Sequence, residues 1–273
     1  MTIPEIPKDP FSLVPSRPVK IAGQRTASVF GAPVELVCLP DRDQRGGIPN
    51  DQRPSFLPNR APDILKNEGV WEAPGVVMTG NAFPFASRQA IFWATERCRE
   101  PSLAMLRVAY ASEDAVAGTT IVNSMGASGS ITRSHIHLLG SCNDFLGALP
   151  QSRIEPSFIG LASAHLGDCE LWRLDLPFPI MALGVRGSAS QRAQAMHRLL
   201  ECRSTPAFNL VSSNQTSWLI PRSTIETPAP HFQQALGGAE LWGRWCFANP
   251  KAFEQATEQD LEAAIRLAGT SWP

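Results

Sequence analysis

The sequence predicts an α+β fold in which antiparallel strands predominate. From residue 75 onward, stretches rich in β-branched and aromatic residues alternate with Gly and Pro, a texture typical of strands joined by turns. Two segments, 190–202 and 257–269, instead have the apolar spacing of helices. No βαβ alternation and no glycine-rich phosphate loop is visible, which argues against a parallel, doubly wound sheet.

The first 74 residues differ in composition from the rest of the chain. Half of the 24 prolines lie before residue 75. Because proline fixes φ and removes a hydrogen-bond donor, regular elements here are expected to be short. We predict a Pro-rich irregular N-terminal arm over residues 1–74, wrapped over a core, with residues 34–39 as its best strand candidate. A partly disordered tail is the alternative.

Residues 75–150 are predicted to form the first half of the fold and to hold the active strand. The strand candidates in this half are 75–85, 89–96, 103–112, 119–128 and 133–140. Gly and Pro punctuate them, as expected for strands connected by turns.

Residues 151–273 show the same pattern of β-branched and aromatic stretches separated by Gly and Pro. We therefore predict a second, degenerate half with a C-terminal helix. Its strand candidates are 170–177, 181–187, 207–213 and 217–223. The 190–202 segment is expected to be a helix because Met196, Leu199 and Leu200 fall on one face. The last helix is expected to begin at Thr257, where Asp260 completes a capping-box-like start.

The charge balance, the hydrophobic pattern and the spacing of the cysteines argue against several classes of protein. The chain has 24 Lys and Arg against 25 Asp and Glu, so no chain-wide basic field for nucleic acid exists. The longest apolar stretch is far too short to span a bilayer, and the N-terminus has no signal-peptide core. Six widely spaced cysteines without a CxxC pair argue against a disulfide scaffold and a zinc ribbon. We therefore predict a cytoplasmic protein without membrane or nucleic-acid partners.

Two of the five histidines, His135 and His137, form an HxH pattern in a predicted strand. Because side chains alternate along a strand, both imidazoles are expected on one face, with Ile136 and Leu138 on the other. One interpretation is a metal site, since adjacent imidazoles can chelate. The other is nucleophilic histidine chemistry. A third interpretation is that both histidines have a purely structural role. Further metal ligands would have to come from His165, His231 or Glu240.

The residues around the HxH favour the nucleophilic interpretation. The stretch from Ile121 to His137 contains a strand ending in Asn123, a turn of small residues, and then the two histidines. This pattern resembles the histidine-triad superfamily. It is most similar to the branch that contains galactose-1-phosphate uridylyltransferase, diadenosine tetraphosphate phosphorylase and GDP-L-galactose phosphorylase. Three further segments resemble that branch in the same order along residues 75–269; they are 80–85, 208–222 and 238–257.

The resemblance implies a role for each matching residue. His137 corresponds to the nucleophile that becomes nucleotidylated, and His135 to the histidine that supports it. The nucleotide- and phosphate-binding positions it implies are Asn81, Asn123, Ser128, Gly129 and Arg133. One position departs from the family pattern: Leu139 stands where these enzymes have Gln or His. Leucine offers no hydrogen bond to a phosphate.

The resemblance also implies a histidine-triad-like fold and an activity. We expect a nucleotidyltransferase or phosphorylase that acts on a nucleoside-diphosphate sugar or a dinucleoside polyphosphate through a covalent nucleotidyl-histidine. No cofactor and no metal are expected, the partner is a nucleotide or nucleotide-sugar substrate, and a homodimer is compatible with the resemblance. Two alternatives stay open. One is a degenerate nucleotide-binding protein without turnover or with repurposed chemistry, and the other is an HxH metalloenzyme.

Overall fold

The structure, a computed structural model, describes most of the chain. The described residues are 6–15, 17–40, 61–81, 84–96, 98, 100–123, 134–141, 143–160, 166–176, 182–203, 205, 207–222 and 236–270.

Ten strands form one large antiparallel sheet through the described part of the chain. In chain order they are β3 (Trp71–Ala73), β4 (Val76–Gly80), β5 (Gln89–Ala94), β6 (Thr119–Asn123), β7 (His135–Leu139), β8 (Gln151–Ile154), β9 (Glu170–Leu174), β10 (Leu183–Arg186), β11 (Ala207–Ser213) and β12 (Thr216–Arg222). Their order across the sheet is β3-β4-β5-β7-β6-β11-β12-β10-β9-β8. Every described pairing within it is antiparallel, as the sequence predicted.

The sheet consists of two halves with the same connectivity. The order β3-β4-β5-β7-β6 is repeated in reverse direction across the sheet as β8-β9-β10-β12-β11. The halves meet at β6 and β11, where Asn123 lies opposite Asn209 and Ile121 opposite Val211. The predicted α+β fold with two related halves is therefore confirmed. The domain boundaries at residues 74 and 150 stay a prediction.

Two long helices cover one face of the large sheet. Helix α2 (Leu103–Val116) precedes β6 and helix α4 (Ala189–Cys202) precedes β11, so each half contributes one. They contact each other, and their apolar side chains pack on Phe92, Ile136, Leu138 and other residues of the sheet. Helix α4 confirms the predicted 190–202 helix. No helix in the described segments combines the length and apolarity that crossing a membrane requires.

The prediction of a strand at 103–112 is wrong, because this segment forms helix α2. Ser102 begins the helix: its side chain accepts a hydrogen bond from the backbone N–H of Met105. Met105, Leu106, Ala109 and Tyr110 are buried and have helical spacing. A short apolar run can satisfy either periodicity, and here the cap and the length of 14 residues favour the helix.

The opposite face of the large sheet is covered by a three-stranded sheet and short helices. Strands β1 (Gly23–Val29) and β2 (Ala32–Cys38) pair antiparallel, and β13 (Arg244–Phe247) joins β2 in parallel. Around them lie α3 (Phe145–Ala148), α5 (Gly238–Trp242), α6 (Pro250–Gln255) and α7 (Glu258–Ala268). Helix α1 (Ala61–Glu68) instead contacts β4 of the large sheet. The C-terminal helix has the predicted capping box, in which Thr257 and Asp260 bond each other's backbone N–H.

The first 74 residues contain more regular structure than the prolines predicted. The expected strand at 34–39 is observed as part of β2, but β1 was not predicted. Both strands are seven residues long, and β2 contributes buried Val34, Leu36 and Val37 to the core. Only Pro33 falls inside the pair. Regular structure is possible here because the other prolines lie outside these two strands.

A buried ion pair joins the two long helices. Arg192 of α4 is fully buried, and its guanidinium contacts the Glu113 carboxylate of α2 at 2.7 Å and Asp114 at 2.5 Å. Thr120 and Ser212 also donate hydrogen bonds to Glu113. Burial raises the pKa of Glu113 to about 7, although Arg192 and these hydrogen bonds oppose the rise. The cluster thus ties α2 and α4 to the central strands β6 and β11.

Candidate functional site

The two histidines of the HxH pattern lie side by side on β7. Their ring centroids are 5.0 Å apart and nearly perpendicular, at 76°. Ile136 and Leu138 point to the opposite face and pack under the long helices, as strand alternation predicted. His135 is 5% exposed, whereas His137 is partly exposed. His137 is thus the more accessible of the two imidazoles.

Trp93 fixes the orientation of His135. The two residues lie opposite each other on β5 and β7. Their rings are stacked, with centroids 4.9 Å apart and an angle of 23°. The indole N–H of Trp93 donates to Thr79 Oγ1 at 2.8 Å, which anchors the indole to β4. The position of the His135 ring beside His137 is therefore fixed.

Gln89 contacts the ring of His137 directly. Its side-chain Nε2 lies 3.0 Å from His137 Nδ1. Its Oε1 accepts a hydrogen bond from the backbone N–H of Phe85 at 3.0 Å. The Phe85 ring packs edge-on against His137, with centroids 5.9 Å apart. His137 is consequently held on one ring nitrogen and one ring edge by residues of the β4–β5 region.

Leu139, at the third position of the triad pattern, is completely buried. It shares a face with His135 and His137, but its side chain packs in the core with Ile121 and Trp242. The three-stranded sheet and its short helices cover this end of β7, which the alternation of side chains alone does not reveal.

Asn81 lies next to Gln89 in a cleft of about 180 Å³. It directly follows β4, where Gly80 pairs with Ala90 of β5. The opposite wall of the cleft comes from the N-terminal segment, which places Phe11 over the guanidinium of Arg88 at 4.6 Å. Arg88 also forms an exposed ion pair with Asp9 at 3.0 Å. The described residues that line the cleft include Phe11, Val14, Arg17, Asn81, Arg88 and Gln89. Gln89 thus connects this cleft to His137.

Asn123 occupies a junction between the two halves. Its Oδ1 accepts hydrogen bonds from Asn209 Nδ2 and from the backbone N–H of Gly238, both at 2.7 Å. Arg222 donates to Asn209 Oδ1 at 2.5 Å and to the carbonyl of Leu236. Burial lowers the pKa of Arg222 to about 10 against the pull of Glu240, so its guanidinium is charged at neutral pH. These bonds attach α5 to β6 and β11.

Two variants separate a structural role of Asn123 from a role at the phosphates. Asn123→Ala removes the acceptor of two hydrogen bonds and should lower the free energy of unfolding by about 1–3 kcal/mol. Asn123→Asp keeps the acceptor and should stay within about 1 kcal/mol of the native protein. Its added negative charge should nevertheless weaken nucleotide binding about tenfold or more, since like charges repel. Urea unfolding and calorimetric titration measure the two effects. Unchanged nucleotide affinity in Asn123→Asp would exclude Asn123 from the phosphate site.

The predicted site residues are only partly among the residues that the structure describes. Ser128, Gly129 and Arg133 lie outside the described residues, as do His165 and His231 of the metal interpretation. Among the predicted residues that are described, His135 and His137 contact each other. The register of β6 and β7 pairs Ile121 with His137, and Asn123, two residues further along β6, shares the face of Ile121. Asn81 borders the site through Gln89.

Gln89 and Trp93 were not predicted as site residues. Both lie in the strand candidate 89–96 and alternate with Ile91, so the sequence shows that they share a face. It does not show which strand pairs with β5. The register that sets Gln89 opposite Leu139 and Trp93 opposite His135 brings them to the histidines. A polar Gln in an otherwise apolar strand was the available signal.

Comparison with known proteins identifies the fold. No protein-family model matches the chain, and no curated protein matches it either. Among solved structures, yeast Ap4A phosphorylase Apa2 in complex with Ap4A aligns with a TM-score of 0.64 at 13% identity, covering 93% of this chain and 92% of that one. The same enzyme in complex with AMP aligns with a TM-score of 0.64 at 10% identity over 93% and 89%. A third structure of it gives 0.62 at 12% over 91% and 87%.

These alignments extend over nearly the whole length of both proteins. The chain therefore has the fold of Ap4A phosphorylase, and the histidine-triad-like fold predicted from the sequence is confirmed. At this level of identity the likeness concerns the fold.

Proposed function

We propose that this chain, which has the fold of Ap4A phosphorylase, is a nucleotidyltransferase or phosphorylase that uses His137 as its nucleophile. The observation that carries the proposal is the position of His137: partly exposed, held by Gln89 on Nδ1, and adjacent through Gln89 to the cleft of Asn81. The preferred substrate class is a dinucleoside polyphosphate, because the structures with the same fold are of an Ap4A phosphorylase. A nucleoside-diphosphate sugar is the second substrate class.

The reaction proceeds in two displacements at one phosphorus. Nε2 of His137, the ring nitrogen that Gln89 does not contact, attacks the α-phosphorus in the tautomer that carries its proton on Nδ1. The bond from the α-phosphorus to the bridging oxygen breaks, and a dinucleoside tetraphosphate releases a nucleoside triphosphate. An oxygen of inorganic phosphate then attacks the nucleotidyl-histidine, which frees His137 and yields a nucleoside diphosphate. The covalent intermediate divides one difficult transfer into two easier ones.

The remaining site residues bind and orient the substrate in this proposal. His135, fixed by Trp93, supports the imidazole of His137 from the same strand face. Asn81 contacts the nucleotide in the cleft, and Asn123 lies beside the phosphates. Ser128 and Gly129 contribute the phosphate-binding turn, where small residues let backbone N–H groups approach the anion, and Arg133 contacts a phosphate through its side chain.

Product analysis tests the substrate class. The protein is incubated with a dinucleoside tetraphosphate and inorganic phosphate, and in parallel with nucleoside-diphosphate sugars. Chromatography should show equal amounts of nucleoside di- and triphosphate that form only when phosphate is present. Nucleoside diphosphate and sugar phosphate from the second set would move the assignment to nucleotide sugars. No product from any member of either set would contradict the proposal.

Nucleotide binding without turnover is the second candidate function. It is favoured by the hydrogen bond from Gln89 to His137 Nδ1, since in that arrangement the ring proton lies on Nε2 and the attacking lone pair is absent. Leu139, which gives the third triad position no polar group, favours it too. A nucleotide that binds tightly, with no product in the assay above, would establish this candidate.

A further inference from the structure

Gln89 is a buried polar side chain with two defined contacts. It is 6% exposed and lies on β5 directly opposite Leu139 of β7. From there its amide reaches diagonally to His137, a neighbour at the distance that long side chains span between strands. An amide group is therefore present at the position beside the nucleophile, but it comes from the adjacent strand and not from residue 139.

The two contacts determine which end of the Gln89 amide faces the histidine. The backbone N–H of Phe85 can only donate, so the atom of Gln89 that it contacts is the carbonyl Oε1. The Nε2 group, which can only donate, then faces His137 Nδ1 at 3.0 Å. Nδ1 must accept this hydrogen bond. In a neutral imidazole the proton consequently lies on Nε2.

This tautomer is the unreactive one for the mechanism proposed above. Attack on phosphorus by Nε2 needs a lone pair on that atom, and therefore a proton on Nδ1. An acceptor facing Nδ1 would favour that state. Gln89 carries such an acceptor, Oε1, on the other end of the same amide, but Phe85 holds it in the ligand-free arrangement.

We propose that Gln89 is a positioning residue that sets the tautomer of His137. With Oε1 bonded to the Phe85 N–H, the amide keeps the proton on Nε2 and His137 is inert. When the amide turns by half a revolution, Oε1 accepts from Nδ1–H and Nε2 becomes the nucleophile. The number of protons on the ring is unchanged: Nε2 releases one to water and Nδ1 takes one up. This inference rests on the proposed function of His137.

The Asn81 cleft supplies a reason for the amide to turn. Gln89 lines this cleft, and Phe85 directly follows the cleft residue Pro84 in the chain and packs against the His137 ring. A phosphate oxygen that accepts the N–H of Phe85 releases Oε1 of Gln89. The chemistry that recognises this N–H is thus an anionic oxygen acceptor, as a nucleotide phosphate provides. Substrate binding and activation of the nucleophile would be coupled through one side chain.

The tautomer can be observed without any turnover. Long-range proton–nitrogen correlation spectra of ¹⁵N-histidine-labelled protein distinguish a ring protonated on Nε2 from one protonated on Nδ1, and His137→Asn assigns the signals. The native ligand-free protein should show His137 protonated on Nε2. Gln89→Glu offers only acceptors, so its carboxylate can satisfy the Phe85 N–H and Nδ1–H together and should reverse the tautomer. A proton on Nδ1 in the native ligand-free protein, or the same tautomer in both proteins, would overturn the proposal.

Single-turnover kinetics provide the second readout. Gln89→Leu removes the contact and the preference, whereas Gln89→Glu fixes the reactive tautomer. At saturating nucleotide, the Glu variant should form the histidine adduct about tenfold or more faster than the Leu variant, within the range that oriented proton acceptors contribute. Its KM should rise because of the added charge. Gln191→Glu, at the exposed start of α4, is the matched control and should change neither value.

These two measurements fail independently of the proposed function. A reversed tautomer in Gln89→Glu without any adduct would leave the positioning role intact and contradict the nucleophilic role of His137. Adduct formation at equal rates in the Glu and Leu variants would leave the nucleophile intact and overturn the role of Gln89.

Discussion

Replacing His137 with asparagine should abolish nucleotidyl transfer while leaving most nucleotide binding in place. Asparagine is close in size to the imidazole but cannot form the phosphorus–nitrogen bond of the covalent intermediate. Loss of the nucleophile of an enzyme that forms a covalent intermediate lowers kcat by about 10⁴ or more. The nucleotide's affinity should change by less than about tenfold, because the cleft residue Asn81 and the stacked pair Trp93 and His135 are untouched.

Chromatographic rate assays and calorimetric titration measure these two quantities. His197→Asn is the matched control, since His197 is a partly exposed histidine on α4 that pairs with Glu201 on the same helix. It should retain the native rate. A His137→Asn variant that keeps more than a tenth of the native turnover would remove His137 from the chemistry.

Replacing Arg192 with methionine should cause the largest loss of stability among the substitutions considered. Methionine keeps an apolar stem near Tyr110, over which the guanidinium now lies at 5.0 Å, but it leaves the buried Glu113 without a cation. Removing one partner of a buried ion pair costs about 3–5 kcal/mol. Asp114 is partly exposed and can be solvated, so the loss arises mainly at Glu113. Urea unfolding at pH 8 measures it.

The loss in the free energy of unfolding caused by Arg192→Met should be larger at high pH than at low pH. Burial already raises the pKa of Glu113 to about 7, and removing Arg192 raises it further. A carboxyl group whose pKa is higher in the folded than in the unfolded chain stabilises the fold at low pH and loses that contribution as pH rises between the two values. The deficit of Arg192→Met relative to the native protein should therefore be larger at pH 8 than at pH 5.

A double variant provides the control. Glu113→Gln combined with Arg192→Met has no buried charge that needs a partner. It should be more stable than Arg192→Met at pH 8 and close to it at pH 5, where Glu113 is protonated in the folded protein. An equal deficit at both pH values, or a loss below 1 kcal/mol on the scale expected for such pairs, would contradict this account of the cluster.

The local sequence pattern predicted the strand that carries the histidines. Contacts between residues distant in the sequence determine which elements surround that strand, and these were not predicted. The alternation in β7 depends only on consecutive residues, so the shared face of His135 and His137 could be predicted from the sequence. Helix α2 was missed because its short apolar run fits both periodicities. The pairing of β2 with β13 joins residues about 200 positions apart, such as Leu36 and Trp245, and no local signal indicates it.

The same distinction applies within the candidate site. Asn123 was expected at the end of a strand, and it is there. Its bonds to Asn209 and Gly238 could not be predicted, because they depend on β11 and α5. Leu139 shares the histidine face, as the alternation of side chains along a strand predicts, but its burial could not be predicted because the elements that cover it are distant in the sequence. The contact of Gln89 with His137 likewise depends on a pairing register that the sequence does not reveal.

The covalent nucleotidyl-histidine is the central claim, and mass spectrometry of the protein tests it directly. The protein is mixed with a dinucleoside tetraphosphate in the absence of inorganic phosphate, and the reaction is quenched under alkaline conditions that preserve phosphohistidine. The mass of the intact protein is then measured. We expect a mass increase of one nucleotidyl group that maps to the peptide containing His137, is absent in His137→Asn, and disappears on addition of phosphate. Product formation without any adduct, or an adduct on another residue, would contradict it.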